Sequence, residues 1–174
     1  MAKLMLLPKL RRFLTKQLHN GPWAFESIPT RPPGTSCSIQ ELGLGPRAHP
    51  IPAVQELLKW PDALEKLYYD VGEYADSQRI HTPPLSCLIA AHANTLVSLD
   101  IRGYLNADVH SQKINFSNFS RLQTLHITQA FLFPTIFEDD GHQTWESEPR
   151  NGLYKRLPKT LKKLKVKSHP KFSG

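Results

Sequence analysis

The apolar residues of the chain recur in one frame, apolar-x-x-apolar-x-apolar. Complete copies occupy residues 39–44, 64–69, 96–101, 122–127 and 161–166, and a shortened sixth copy begins at Leu10. The last three positions of the frame alternate apolar, variable, apolar, which is the period of a β-strand with one buried face. One such strand cannot bury its apolar side chains alone, so the pattern predicts that neighbouring copies stack.

Two segments between the copies have helical spacing instead. Residues 52–60 place Val54, Leu57 and Leu58 on one face, with a proline at the start and Pro61 as a stop. Residues 84–92 repeat the design with Leu85, Leu88 and Ile89 on one face. Helix, short loop, strand and long loop therefore form the predicted unit. This order predicts an α/β fold in which right-handed crossovers join parallel strands into a curved solenoid.

The frame resembles the leucine-rich repeat family over residues 10–166, most closely at 96–127 and 157–166. The Asn that usually follows the strand in that family is absent, and Tyr104, Ala130 and Ser168 lie in its place. The resemblance implies a parallel sheet on the concave side and short helices with irregular loops on the convex side. We expect a single irregular domain over 1–174 with five to six repeats. It includes a long acidic insertion at 128–160 and a basic last repeat at 157–171.

The phrasing of the repeats is also similar to that of the degenerate repeats of fungal F-box proteins. The signs are a proline before a Leu-Glu-x-Leu strand and Leu-Pro-x-x-Leu-x-x-Leu at residues 157–164. That resemblance implies substrate recognition for an SCF-type ubiquitin ligase, with ligase components as partners. An F-box is a helical module before the repeats, and no such module is visible before the copy at Leu10. A fragment, a degenerate gene product and a repeat-only relative all remain open.

Residues between the buried strand positions point away from the core and form the predicted binding surface. Tyr68 and Arg102 are its candidate anchors, because aromatic and arginine side chains dominate interface energetics. Asp100 and His126 fall at facing positions of neighbouring copies, so we expect them to lie close together. Solvent-facing residues without a partner are the alternative, since strand geometry directs polar residues outward in either case. The predicted partner-binding residues are Lys66, Tyr68, Asp70, Ser98, Asp100, Arg102, Thr124, His126, Thr128, Lys163, Lys165 and Lys167, with Glu41, Gly43 and Gly45 at one end.

Charge is unevenly distributed within a formal net charge of +7. Residues 138–148 contain five acids and no Lys or Arg, whereas residues 150–171 contain nine Lys or Arg and no acid. The basic block predicts either a solvated last repeat that the acidic segment screens, which we favour, or an anionic partner such as nucleic acid. The sequence therefore favours a non-enzymatic protein-binding scaffold, with nucleic-acid or anionic-surface binding as the alternative.

Catalytic and cofactor motifs are missing from the sequence. It has no phosphate loop, dinucleotide fingerprint or nucleophile elbow, and its eight histidines share no metal-ligand spacing. We expect no enzyme activity and no cofactor. Cys37 and Cys87 are predicted to be buried thiols. No apolar run reaches membrane-spanning length, which favours a cytoplasmic or nuclear protein without a membrane partner. Residues 1–25 carry basic residues and no acid, as a mitochondrial presequence does, but the copy at Leu10 favours a repeat strand.

Overall fold

The computed structural model describes residues 6–15, 30–45, 51–70, 89–103, 114–132, 135–137, 143–145 and 148–167. Within these ranges the helices are α1 (Ile51–Leu58) and α2 (Glu148–Arg156). The strands are β1 (Arg12–Thr15), β2 (Glu41–Leu44), β3 (Lys66–Asp70), β4 (Ser98–Arg102), β5 (Thr124–Thr128), β6 (Thr135–Phe137), β7 (Gln143–Trp145) and β8 (Lys163–Lys167).

A six-stranded parallel sheet organises the chain. Its strand order is β1-β2-β3-β4-β5-β8, and β6 and β7 pair separately as an antiparallel two-stranded sheet. Each of the six copies of the apolar frame supplies one strand of the parallel sheet, including the shortened copy that begins at Leu10. The predicted α/β class with a parallel sheet is confirmed.

The same hydrogen-bond pattern recurs at each of the five steps between neighbouring parallel strands. The carbonyl of the second residue in one copy accepts bonds from the N–H groups of the second and third residues of the next copy. The N–O distances are 2.8–3.1 Å throughout. The accepting carbonyls belong to Arg11, Gln40, Glu65, Val97 and Gln123. These bonds align the copies residue by residue, so the connecting segments absorb the unequal spacing of the copies along the sequence.

Two columns of apolar side chains run across the sheet on its core side. In the first column Leu42, Leu67, Leu99 and Leu125 lie opposite one another, and each is at most 3% exposed. The second column contains Leu44, Tyr69, Ile101 and Ile127 and is similarly buried. Burial of each such side chain stabilises the fold by about 1.5–3 kcal/mol. The columns explain why the apolar frame must recur in register.

The apolar residues of the last copy are less buried than those of the other copies. Leu164 and Val166 continue the two columns in register, but each is 39% exposed. The expectation that these two residues are buried like their counterparts is therefore wrong. The physical reason is their place in β8, which lies at one end of the sheet order. No strand among the described residues covers their outer side.

The first predicted helix is confirmed with slightly different ends. Helix α1 spans Ile51–Leu58, and the chain leaves it through turns in which Lys59 and Trp60 donate to carbonyls three residues earlier. Val54, Leu57 and Leu58 are buried as expected. Residues 84–88 of the second predicted helix, which include Cys87, lie outside the described residues. Residues 89–90 of that helix are helical, and Ile89 is buried.

Polar side chains tie neighbouring connections together. Arg31 contacts the Asp62 carboxylate (Nη1–Oδ1, 2.6 Å) and donates to the Trp60 carbonyl at 2.8 Å. The Cys37 N–H also donates to Asp62 Oδ2 at 2.8 Å. The Cys37 N–H and the Arg31 guanidinium together lower the pKa of Asp62, whereas burial raises the pKa of the Cys37 thiol.

A second contact between connections involves buried His92, whose Nε2 lies 2.7 Å from the Leu58 carbonyl oxygen. Since a carbonyl can only accept, Nε2 is the protonated nitrogen in this contact.

The predicted insertion at 128–160 contains regular structure that the apolar frame does not predict. A 3₁₀ turn at Gln129–Phe131 is followed by β6, β7 and α2. The Phe116 N–H donates to the Arg156 carbonyl at 2.8 Å, and Leu153 and Leu157 pack against the core. Four of the five acidic residues of this segment, Glu138, Asp139, Asp140 and Glu146, lie outside the described residues. The insertion therefore belongs partly to the folded core.

Candidate binding face of the sheet

The face of the parallel sheet opposite the core, called the open face below, carries most of the predicted binding residues. Strand alternation places them there in rows. One row contains Arg12, Glu41, Lys66, Ser98, Thr124 and Lys163, and the next contains Leu14, Gly43, Tyr68, Asp100, His126 and Lys165. Asp70 lies opposite Arg102, and Thr128 lies opposite Lys167, at the carboxyl ends of their strands.

A cluster of polar side chains occupies the centre of the open face. Arg102 donates through Nε to Asp100 Oδ1 at 2.8 Å and through Nη2 to Asp100 Oδ2 at 2.7 Å. Its guanidinium carbon lies 5.2 Å from the ring centroid of Tyr68, at cation–π distance. The Tyr68 hydroxyl donates to Asp70 Oδ2 at 3.3 Å. These contacts come from two adjacent strands and hold Tyr68 and Arg102 in fixed relative positions.

The electrostatics of the cluster follow from these contacts. Burial raises the pKa of the Tyr68 hydroxyl first, and the negative charge of Asp70 adds to that effect. The hydrogen bonds to Asp100 raise the pKa of Arg102, because they favour its charged form. Arg102 has five N–H donors and uses two of them on Asp100, which leaves three without a hydrogen-bond acceptor among the described residues.

Asp100 and His126 lie close together, as the sequence predicts. His126 Nδ1 is 3.4 Å from Asp100 Oδ2, and both side chains are more than two-thirds buried. The other ring nitrogen of His126, Nε2, is buried and has no hydrogen-bond partner among the described residues. The arrangement lacks a nucleophile in hydrogen-bond contact with His126 among those residues. His126 Nδ1 and Asp100 Oδ2 form a polar contact between β4 and β5 on the open face.

One end of the open face carries an ion-pair row. Arg12 Nε lies 3.0 Å from Glu41 Oε2, and Lys66 Nζ lies 3.9 Å from the same oxygen. Arg12 and Leu14 were missed as open-face residues, although the copy at Leu10 places them there by the same alternation. Leu14 is 52% exposed, and its side chain covers Gly43 so closely that an added Cβ would lie 2.5 Å from Leu14 Cδ2.

Three predicted open-face residues are not accessible. Thr128 is only 5% exposed, and Gly43 and Gly45 are buried. For Gly43 the reason is the Leu14 side chain above it. Gly45 is held by β1, since its N–H donates to the Thr15 carbonyl at 3.0 Å. Thr128 immediately precedes the 3₁₀ turn that redirects the chain into the insertion. The expectation that these positions face a partner is therefore wrong.

The lysine end of the open face is solvent-exposed. All five residues of β8 are exposed, including Lys163, Lys165 and Lys167. None of these lysines forms an ion pair with a described residue, and their register neighbours on β5 are Thr124, His126 and Thr128. The acidic segment that was expected to screen them includes residues outside the described ranges. The lysines are thus a positive patch beside a neutral or weakly charged strand.

Metal-binding clusters and membrane-spanning helices are both absent from the part of the chain that the structure describes. It holds no group of three or more His, Cys, Asp or Glu residues arranged to bind a metal ion. None of its helices combines the length and apolar character needed to cross a membrane. No family model matches the sequence, and no curated protein or solved structure matches it significantly.

Proposed function

We propose that the chain is a leucine-rich repeat solenoid that binds a protein partner on its open face and has no enzymatic activity of its own. The repeating hydrogen-bond pattern and the two apolar columns support the solenoid, since they make each copy an equivalent stacking unit. In a solenoid of this kind the open face becomes the concave surface.

The cluster of Tyr68, Asp100 and Arg102 is the main support for a binding site on the open face. A binding site gains affinity when its anchors are ordered before the partner arrives, because less conformational entropy is lost. Arg102 is fixed by two hydrogen bonds and the Tyr68 ring, yet its side chain is 45% exposed. Its remaining N–H donors suit a carboxylate or a main-chain carbonyl of a polypeptide.

The double variant Tyr68→Ala/Arg102→Ala tests this site. Partner capture from the source organism should be lost, while the melting temperature falls by no more than a few degrees because both side chains lie outside the core. The control Lys9→Ala/Lys159→Ala removes two exposed side chains outside the open face and should retain the partner. Undiminished capture by the first variant would refute the assignment of the open face.

The resemblance to fungal F-box proteins makes substrate recognition for an SCF-type ubiquitin ligase the specific form of this proposal. Ligase adaptor proteins should then appear among the captured partners. A second candidate function is the binding of nucleic acid or another anionic surface through Lys163, Lys165 and Lys167. The exposure of these lysines without ion pairs among the described residues favours it. Salt-dependent retention on RNA or DNA columns would support that candidate.

A further inference from the structure

We propose that the outer edge of β8 binds an extended segment of a partner protein in which acidic and aliphatic residues alternate, and that this segment adds a strand to the sheet. The site is separate from the open-face cluster and does not depend on it. Three independent features of β8 point to the same occupant.

The first feature is an available row of backbone groups. Five carbonyls at the second position of the frame each accept two N–H bonds from the next copy. The equivalent carbonyl in the last copy belongs to Lys162, and it accepts no bond from a described residue. Lys162 and Lys163 direct their own N–H groups to the Gln123 carbonyl. By alternation, the peptide groups of Leu164 and Val166 face the outer edge and suit strand addition.

The second feature is the exposed apolar pair on the core side. Leu164 and Val166 occupy the two columns whose other members in β2 to β5 are at most 5% exposed, but each is 39% exposed. Aliphatic side chains at alternate positions of an added strand would lie beside these residues and cover them. A strand with polar residues on both faces would leave them exposed to water.

The third feature is charge. Lys163, Lys165 and Lys167 alternate with the apolar pair and project on the other face of β8. Directly opposed residues of paired strands lie within reach of each other, and opposite charges there are favourable. Acidic residues at alternate positions of the added strand would therefore pair with these lysines. The residues of β5 that lie opposite the lysines carry no carboxylate and cannot do so.

Other occupants fit these three features less well. A second copy pairing through β8 would place lysine near lysine, and β1 of a second copy carries Arg12 and no acid. Residues 168–174 of the same chain contain Lys171 and no acid. A nucleic acid would pair with the lysines but would leave the backbone edge and the apolar pair unused. Edge lysines also discourage unspecific strand pairing, which restricts the edge to a partner of opposite charge.

The test uses the full chain and the synthetic peptide Glu-Ile-Glu-Val-Glu-Ile-Glu, with affinity measured by fluorescence anisotropy. A peptide of the same composition with its four Glu residues grouped together should bind at least about tenfold more weakly, which corresponds to about 1.4 kcal/mol. Only one alternate set of peptide N–H groups faces β8 in an added strand. N-methylation of that set should abolish binding, whereas N-methylation of the other set should preserve it. Hydrogen exchange in residues 162–167 should slow when the peptide binds.

Charge reversal identifies the edge. The variant Lys163→Glu/Lys165→Glu/Lys167→Glu should lose the acidic peptide and gain a Lys-Ile-Lys-Val-Lys-Ile-Lys peptide. The control Lys9→Glu/Lys155→Glu/Lys159→Glu makes the same change in net charge at exposed residues away from β8 and should keep the acidic peptide. Retention of the acidic peptide by Tyr68→Ala/Arg102→Ala would separate this site from the open face.

Several outcomes would overturn the proposal. One is that the native chain fails to bind the acidic peptide, or binds the grouped-charge peptide or oligo(dT) as tightly as the acidic peptide. Another is that the control variant loses the acidic peptide to the same extent as the charge-reversed β8 variant. The same holds if both N-methylated peptides bind as tightly as the parent. A stable dimer that occupies the edge and that the peptide cannot displace would assign β8 to a second copy instead.

Discussion

Arg102 and Asp100 are two residues apart on β4 and join through a pair of hydrogen bonds of 2.8 and 2.7 Å. Residues two apart on a strand share a face, so this pair forms without help from another element. Asp100 thereby directs the guanidinium toward the neighbouring strand, where Tyr68 lies beneath it. The fixed position of Arg102 is thus a property of β4, and the aromatic contact is a property of the register between β3 and β4.

Replacement of Asp70 by Asn should lower the pKa of Tyr68 toward the ordinary tyrosine value of about 10. Asp70 raises that pKa through its charge and its hydrogen bond, after the larger effect of burial. Subtraction of the tyrosinate absorbance titration of Tyr68→Phe isolates this residue from the other tyrosines. Because the pKa of Tyr68 is raised in the folded state, the contribution of this hydroxyl to stability is present below about pH 10 and is lost at higher pH. Asp70→Asn should therefore reduce the loss of stability in strong alkali, and an unchanged titration would contradict the contact.

The central cluster was only partly predictable from the sequence. The alternation within the frame placed Tyr68, Asp100, Arg102 and His126 on one face, and the alignment of the copies made Asp100 a neighbour of His126. The sequence could not show that Arg102 directs two hydrogen bonds to Asp100 on its own strand, because Asp70 lies opposite it in register as a second carboxylate. That choice depends on side-chain rotamers and on the Tyr68 ring. The burial of Thr128 could not be predicted from the sequence either, because it depends on the direction of the chain after β5.

Two leucines at the same position of the frame should differ sharply in their contribution to stability. Leu99→Ala removes a fully buried side chain and should lower the free energy of unfolding by about 2–5 kcal/mol. Leu164→Ala removes a side chain that is 39% exposed and should cost about 1 kcal/mol or less. Urea unfolding of both variants measures the difference. Equal losses would mean that β8 is as well covered as β4.

These leucines also show where prediction of the fold succeeds and where it fails. A repeated frame specifies local strands and their stacking, because every copy needs its neighbours to bury the same two positions. It does not specify the structure of a segment that lacks the frame, such as β6, β7 and α2 within the insertion. It also treats Leu164 and Leu99 as equivalent, since exposure at the end of a stack depends on what lies beside it.

The interaction of Asp62 with Arg31 and Cys37 should make stability sensitive to acid. Its pKa is lowered in the folded state, so its contribution is present above the ordinary carboxyl pKa of about 3.9 and is lost as the pH falls through the folded value. The Asp62 side chain is 47% exposed, which limits the loss in Asp62→Asn at neutral pH to about 1 kcal/mol. The variant and the native chain should converge in urea unfolding as the pH falls below the ordinary carboxyl value, because the native carboxylate becomes protonated there. Glu65→Gln, which removes a carboxylate without a described partner, should show no such convergence.

His92 should be important for stability because it joins two connections inside the core. His92→Ala removes a buried ring and leaves the Leu58 carbonyl without its donor, which should cost about 2–4 kcal/mol. His92→Gln supplies an N–H donor on a shorter side chain and should recover part of that loss. Thr95→Ala removes only a 3.3 Å bond to the His92 carbonyl and should change stability by less than about 1 kcal/mol. Thermal unfolding of the three variants would show whether the buried bond or the local turn is responsible.

Self-association of the purified chain should depend on salt through β8. Leu164 and Val166 favour association because they are exposed at a sheet edge, while Lys163, Lys165 and Lys167 oppose it by mutual repulsion. Raising the ionic strength from about 0.15 to 1 M shortens the Debye length from about 8 to 3 Å and weakens that repulsion. Sedimentation velocity should therefore show larger species at high salt. Replacing the three lysines with threonine should produce such species at both salt concentrations, and Leu164→Thr/Val166→Thr should reduce them. A monodisperse monomer under all these conditions would show that the apolar pair does not drive association.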